Sequence, residues 1–338
     1  MARRDSLQAL QVVAPAEQAR FCAVASGSAL DPATLPASGA DEHWLLEDSA
    51  GAAARCSLWW RSAPAHPEHR VGLVGHYAAA DALAGPLLQL ACDRLRAVGC
   101  TLAVGPMDGS TFNSYRLVTE RGVEPAFFLE PDNPASWPGH FTSNGFAPLS
   151  HYYSALQERL DAPYPRIAEV ARRVQSAGVR VRPLDLADFE RELRRVYPVV
   201  VAGFAHSVLG SRITEEAFVA QYRLLEPLLA PELAQIAETD ERAVGFLLVL
   251  PDWLQARRGE KIDTAIVKTI AVLPEYTKRG LSILLLERAQ EHARALGYTR
   301  AIHALMHERN ASRHLSAAYH GRVIRRYTLY QKALEVAP

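Results

Sequence analysis

The sequence predicts two α/β domains in tandem, each a mixed sheet flanked by helices. Three observations predict this. The chain has 338 residues, beyond the usual single domain, and 49% of them are apolar, enough to fill two cores. Its two halves repeat faintly, because setting Gly99 against Gly297 brings Leu87-Leu88 onto Leu285-Leu286, Ala91 onto Ala289, Arg96-Ala-Val-Gly99 onto Arg294-Ala-Leu-Gly297 and Thr101 onto Thr299. In that register the apolar Val71–Gly75 falls opposite Thr269–Leu273. Lastly, each half carries a strand, a loop, a helix and a second strand in succession, the signature of parallel strands joined by a right-handed crossover.

The elements follow in order. In the first half His43–Leu46 and Ala53–Trp60 read as an antiparallel pair around Ser49-Ala-Gly51. Gly105-Pro-Met-Asp-Gly-Ser-Thr111 and Glu130-Pro-Asp-Asn-Pro134 read as turns. With Phe127, Phe128 and Trp137, the same polar stretches would alternatively line an acceptor pocket. Two prolines interrupt Leu160–Pro165 before the helical Arg166–Ala177. This places a first domain at 1–160, a connecting helix at 161–177 and a second domain at 178–338. The second domain opens with a short strand, Val179–Val181, and a helix near Leu186–Val201. A charged turn at Glu238–Arg242 then precedes a buried strand at Ala243–Leu250, and the β-branched Thr264–Val272 reads as another. Leu281, Leu284, Leu285, Ala289, Ala293 and Leu296 recur at three- and four-residue steps, an amphipathic helix that Gly297 ends. Arg300–Met306 is strand-like.

Composition removes several classes of function. Formal net charge is zero with pI near 7.2, so no basic surface points to nucleic acid or to an anionic membrane. Met1-Ala-Arg-Arg-Asp5 is not followed by an uninterrupted apolar run, and no stretch approaches the roughly 20 apolar residues that span a bilayer. A cytoplasmic protein is expected. Cys22, Cys56, Cys92 and Cys100 are scattered and read as reduced core thiols. No metal site is expected. His303 and His307 would chelate a metal one turn apart on a helix, but on a strand their anchor points stand roughly 13 Å apart.

The loop before the amphipathic helix carries chemistry. Free backbone N–H groups at a helix start, and the helix dipole, bind anions. Lys278 and Arg279 add positive charge there, and Gly280 permits close backbone approach. Neither the Walker loop nor the dinucleotide-binding glycine pattern occurs. The run Ala271-Val272-x-Pro274-x-Tyr276-x-x-x-Gly280-Leu281-Ser282 resembles the acetyl-CoA loop of the GNAT (GCN5-related N-acetyltransferase) superfamily. Thr277 stands where that family has Arg or Gln, and Ser282 where it has Gly or Ala. Asn310, after the next strand, matches the family's pantetheine-contacting Asn, and a helix and Gly321 follow in order.

The resemblance implies an acetyl-CoA (or other acyl-CoA) site formed by Ile270, Ala271, Val272, Thr277, Lys278, Arg279, Gly280, Leu281, Ser282 and Asn310, and an N-acyltransferase acting on a small-molecule or peptide amine. It covers 178–338. The first half reads as a degenerate copy that shapes the acceptor pocket, with Asp81 aligned to Arg279 and Ala82 to Gly280. The family's tyrosine acid falls on Ala317, leaving Tyr319 two positions away, and Ile266 occupies the place of its strand glutamate. Asp263, His307 and Tyr319 are therefore the catalytic candidates, with Glu308 and Asp252 behind them. Two alternatives stay open: a non-catalytic acyl-CoA-binding module, and an aminoacyl-tRNA-dependent peptidyl transferase of the tandem type, against which the retained loop and neutral charge both count.

Overall fold

Short β-rich runs separated by glycine and proline build one large mixed sheet. The fold is that of a computed structural model describing residues 7–27, 29–49, 51–205, 209–210, 213–240, 242–310 and 312–335. The N-terminal segment Met1–Asp5 lies outside the described residues. Thirteen strands occur among those described: β1 (Gln8–Gln11), β2 (Glu42–Glu47), β3 (Ala53–Trp59), β4 (Val71–Ala78), β5 (Leu102–Gly105), β6 (Leu117–Glu120), β7 (Ala147–Gln157), β8 (Arg180–Pro183), β9 (Gln235–Glu238), β10 (Ala243–Pro251), β11 (Thr264–Val272), β12 (Arg300–His307) and β13 (Arg322–Ala333). Their spatial order is β1-β2-β3-β4-β5-β13-β7-β12-β11-β10-β9-β8, with β6 beside β13. Helices cover the sheet, the longest being Asp81–Ala97, Phe189–Phe204 and Leu281–Ala295.

That order contains an exchange. β13, the last strand of the second half, pairs only with β5, β6 and β7 of the first. β7, the last strand of the first half, pairs only with β12 and β13 of the second. Each half thus completes the sheet of the other, and the two α/β halves share one continuous sheet. A buried ion pair fastens the exchanged strand: Arg325 on β13 meets Glu130 at 3.0 Å, with the pair 4% and 2% exposed. Tyr327 donates to the same carboxylate at 2.6 Å.

The helix part of the internal repeat holds, since Ala97 and Ala295 are corresponding helix ends and Gly99 and Gly297 both sit at positive φ. The strand register does not. Val71 pairs with Leu102 where Thr264 pairs with Arg300, so Val71 is the counterpart of Thr264 and not of Thr269. The reason lies in the loops: only Ala79 and Ala80 join β4 to its helix, whereas residues 273–280 join β11 to its own. Glu238 is also displaced from the turn in which the sequence put it. It ends β9, 1% exposed, under Arg180, Arg182 and Arg195.

Burial by itself raises the Glu238 carboxyl, but hydrogen bonds from Arg182 and Arg180 and the charge of Arg195 overrule it and hold the group at about 2. A carboxyl lowered on folding stabilises the fold above its ordinary 4.5 and stops doing so as pH falls through about 2. Glu238→Gln is therefore expected to cost about 2 kcal/mol at neutral pH, moderated by the partly exposed arginines. Urea titrations of both proteins should show that difference shrinking between pH 4.5 and 2. A difference independent of pH would refute the ionic origin.

Candidate active site

β11 and β12 run parallel and in register only from Thr264–Arg300 to Val267–His303. Beyond that pair they part. β11 stays with β10 but takes up one extra residue at Lys268, because Thr269 pairs with Leu248 while Val267 pairs with Val249. β12 turns at Leu305, a non-glycine residue at φ +57°, and continues along β7. The opening holds a cavity of about 530 Å³, a size suited to a small molecule. Both halves line it: Val267 to Ile270 and His303 to His307 from the second, and Phe112, Tyr115, Arg116 and Tyr152 from the first.

Its electrostatics are one-sided. No Asp or Glu lines the cavity among the described residues, whereas Arg116, Lys268 and Arg309 do. Burial, with the charge of Arg116, brings the Lys268 ammonium down to about 8. Burial brings His303 down to about 4, so its imidazole is neutral, and its Nε2 has no hydrogen-bond partner. Tyr222, a further wall residue, sits 3.4 Å from the Thr269 hydroxyl.

The structure separates the sequence candidates. His307 lines the cavity, but its Nε2 lies 2.7 Å from Ser150 Oγ and its Nδ1 accepts from Arg309 N at 3.0 Å. Asp263 does not line it. This residue stands at the closed end of the strand pair, bonded to Gln255, Thr264 and Arg300 and to the backbone N–H of Thr299, which is the work of a strand-opening cap. Tyr319 is 4% exposed and donates to Glu287 at 2.9 Å. Desolvation, then the Glu287 charge, pushes its hydroxyl far up, so its proton is committed to a helix side chain outside the cavity lining. Asp252 caps Phe128 N and Leu254 N and is likewise outside it. Glu308 does not line it either.

Of the expected cofactor residues, Ile270 and Asn310 lie on the cavity wall, and Ala271 and Val272 continue the strand edge that has no neighbour on the cleft side. The loop follows. Thr277, Lys278 and Arg279 are exposed, Thr277 Oγ1 donating to Pro274 O at 2.8 Å. Neither loop cation is paired with a carboxylate among the described residues. Leu281 is fully buried and serves the core, and Ser282 is half-buried at the helix start. Gly280, at φ +81°, faces the chain's own connecting helix, Ile167–Gln175: a Cβ there would come within 3.0 Å of Val170 and 3.1 Å of Arg173. Arg173 Nε also donates to Arg279 O at 2.9 Å, so a third cation stands beside the loop.

The first half lacks both features. Its equivalent strands pair from Val71–Leu102 to Leu73–Val104, and then Met107 N donates to Val74 O at 2.9 Å, closing the opening. Gly75 makes room for this, since a Cβ there would strike Met107 O at 2.3 Å. Asp81 sits at the helix start, hydrogen-bonded to His140 at 2.9 Å. Of the polar stretches read as turns or pocket, the Glu130 side chain and Asn133 are buried in hydrogen bonds away from the cavity, while Thr111, and beyond it Phe112, Tyr115 and Arg116, reach the wall. Lys268 was legible as a lone charge within an apolar strand; Arg116, from the other half, left no trace in the sequence.

Comparisons with known proteins agree with this geometry. Residues 206–321 match the model of the acetyltransferase (GNAT) family. No curated protein sequence matches the chain. Among solved structures, it is similar to a GCN5-related N-acetyltransferase from Sphaerobacter thermophilus at TM-score 0.51 and 18% identity, covering 97% of this chain and 96% of that one. A tandem GNAT protein from the clavulanic acid biosynthesis pathway gives TM-score 0.53 at 11% identity, covering 98% of this chain and 100% of that one. The glucosamine N-acetyltransferase region of a fungal multi-domain GH3 β-N-acetylglucosaminidase gives TM-score 0.57 at 13% identity; it covers 97% of this chain, which spans only 38% of that one. At such identities the likeness is one of fold: the chain has the fold of tandem GNAT proteins, the family match itself is confined to residues 206–321 of the second half, and the first half lacks the open cleft.

Proposed function

We propose that the chain is an acyl-CoA-dependent N-acyltransferase whose active site is the cleft between β11 and β12. The observation that carries this reading is the parting of the two strands after Val267 and His303, with the cation-bearing loop at the outer end of β11. In this reading the diphosphate lies at residues 277–282, next to Lys278 and Arg279, and the pantetheine arm runs past Ile270 and Asn310 into the cavity. The unpaired edge of β11 after Lys268 offers backbone N–H groups to the thioester carbonyl. The acceptor amine then attacks that carbon, the carbon–sulfur bond breaks, and the coenzyme A thiolate leaves and takes up a proton from water. The amine's proton passes to water or to the neutral imidazole of His303, whose Nε2 is unpartnered, since no carboxylate lines the cavity among the described residues.

A non-catalytic acyl-CoA binder is the second reading, favoured by the commitment of the Tyr319 proton to Glu287. Turnover with a panel of amines separates the two. For the site itself, the test is a Lys278→Glu, Arg279→Glu variant. Both side chains are exposed, so the fold is expected to survive. Acetyl-CoA affinity, measured by titration calorimetry, should fall about 30-fold or more, because two charge-assisted contacts become repulsive. Unchanged affinity sinks the assignment. Gly280 is a poor probe, since any side chain there meets Val170 at positive φ.

A further inference from the structure

The cavity wall carries a buried cation, Arg116, and a half-buried one, Lys268, and neither forms an ion pair with a carboxylate among the described residues. Arg116 is 8% exposed, with its guanidinium carbon 4.0 Å from the centre of the Tyr115 ring and 4.3 Å from that of Tyr152. Its Nη1 donates to Leu305 O at 3.3 Å, and its Nε finds no acceptor, so the group carries more donors than the protein satisfies. It is held in place at a cost: Arg116 sits at φ +68° and Leu305, its acceptor, at φ +57°, both unfavourable for residues with a side chain. Lys268 lies at the bulge where the strands part, forms no ion pair among the described residues, and is close enough to Arg116 for the two charges to repel. Two like charges in a desolvated cleft are unfavourable unless an anion completes them.

The diphosphate of the proposed cofactor belongs at the outer loop, so a different anion is called for at the inner end of the cleft. We infer that Lys268 and Arg116 form a carboxylate site, and that one member of the reacting pair, the amine acceptor or the acyl group, carries a carboxylate near the reacting atoms. This rests on the acyltransferase reading for its place in the reaction. A bound carboxylate accepts from the Lys268 ammonium and from the open edge of the Arg116 guanidinium, and Tyr115 and Tyr152 hold that guanidinium plane fixed for it.

The test has a binding part and a turnover part. In thermal-shift assays N-acetylglycine, N-acetylphenylalanine and N-acetylglutamate are expected to stabilise the wild type, and their amides to do so less. Lys268→Met should erase the difference, and Arg116→Gln is the second variant, the first remaining decisive if the tyrosine stack does not tolerate it. In turnover, an amino acid is compared with its decarboxylated amine using acetyl-CoA, and succinyl-CoA is compared with acetyl-CoA using an uncharged amine. A preference of about 30-fold in kcat/KM in the first comparison places the carboxylate on the acceptor, and in the second on the acyl group. Equal values in both comparisons, or a preference that survives Lys268→Met, overturn the inference. If the acids bind through Lys268 but acetyl-CoA does not bind at all, the carboxylate site stands and the acyltransferase reading falls. If acetyl-CoA is turned over with no carboxylate preference, the reverse holds.

Discussion

Expressed as separate fragments, residues 1–160 and 161–338 are expected not to fold, and to recover one folded species when produced together. The exchange of last strands is the cause. Within its own half β7 has no partner, and neither has β13, yet these are two of the longest strands in the sheet. The first fragment would leave β5 open on one edge and β6 and β7 unpaired; the second would leave β12 open and β13 detached. Each exposes apolar faces and unpaired backbone groups that promote aggregation. Size-exclusion chromatography and circular dichroism of each fragment and of the mixture measure this. A second fragment that is monomeric alone, unfolds cooperatively and binds acetyl-CoA would show that the exchange is dispensable. For the intact chain the same topology predicts one unfolding transition, since neither half can lose its last strand without damaging the other.

Arg325→Ala is expected to destabilise the protein by about 3 to 5 kcal/mol, because it leaves the Glu130 carboxylate buried without its cation. Burial already pushes the Glu130 carboxyl up, against the opposing hydrogen bond from Tyr327 and the charge of Arg325. With Arg325 gone, only the Tyr327 hydroxyl and the Phe127 N–H hold the charge, and the group is raised further. The double change Arg325→Leu, Glu130→Leu should cost less than Arg325→Ala, since the charges leave together and only neutral groups, among them the Tyr327 hydroxyl, the Phe127 N–H and Glu124 O, lose a partner. Urea denaturation of the variants decides it. If the double variant loses as much as the sum of the single changes, the pair contributes no coupling, and the fastening of β13 must come from its ladder and side-chain packing.

The α/β class, the tandem arrangement, the Leu281–Ala295 helix with its preceding loop, and the strands β10, β11 and β12 were all readable from local pattern, because period, glycine stops and β-branched runs are properties of short segments. The strand register of the repeat was not, because a shortened loop moves a strand against its helix without altering either one's own pattern. The candidate site divides the same way. Loop cations and Asn310 follow a spacing that a sequence displays; the cavity wall follows contacts between segments far apart in the chain. Tyr319 and Asp263 looked eligible as residue types and are committed elsewhere, to Glu287 and to the base of the strand pair.

What the sequence by itself determined, then, is a second half with Lys278, Arg279 and Gly280 before its long helix and a first half with Asp81 and Ala82 in the aligned places. Only the tertiary structure decided that Arg116, Tyr115 and Tyr152 of the first half stand beside Lys268 and His303 of the second. The physical reason is the strand exchange: by carrying β7 across to β12, it brings the first half's side chains to the opening of β11 and β12, a long-range pairing that no local pattern encodes.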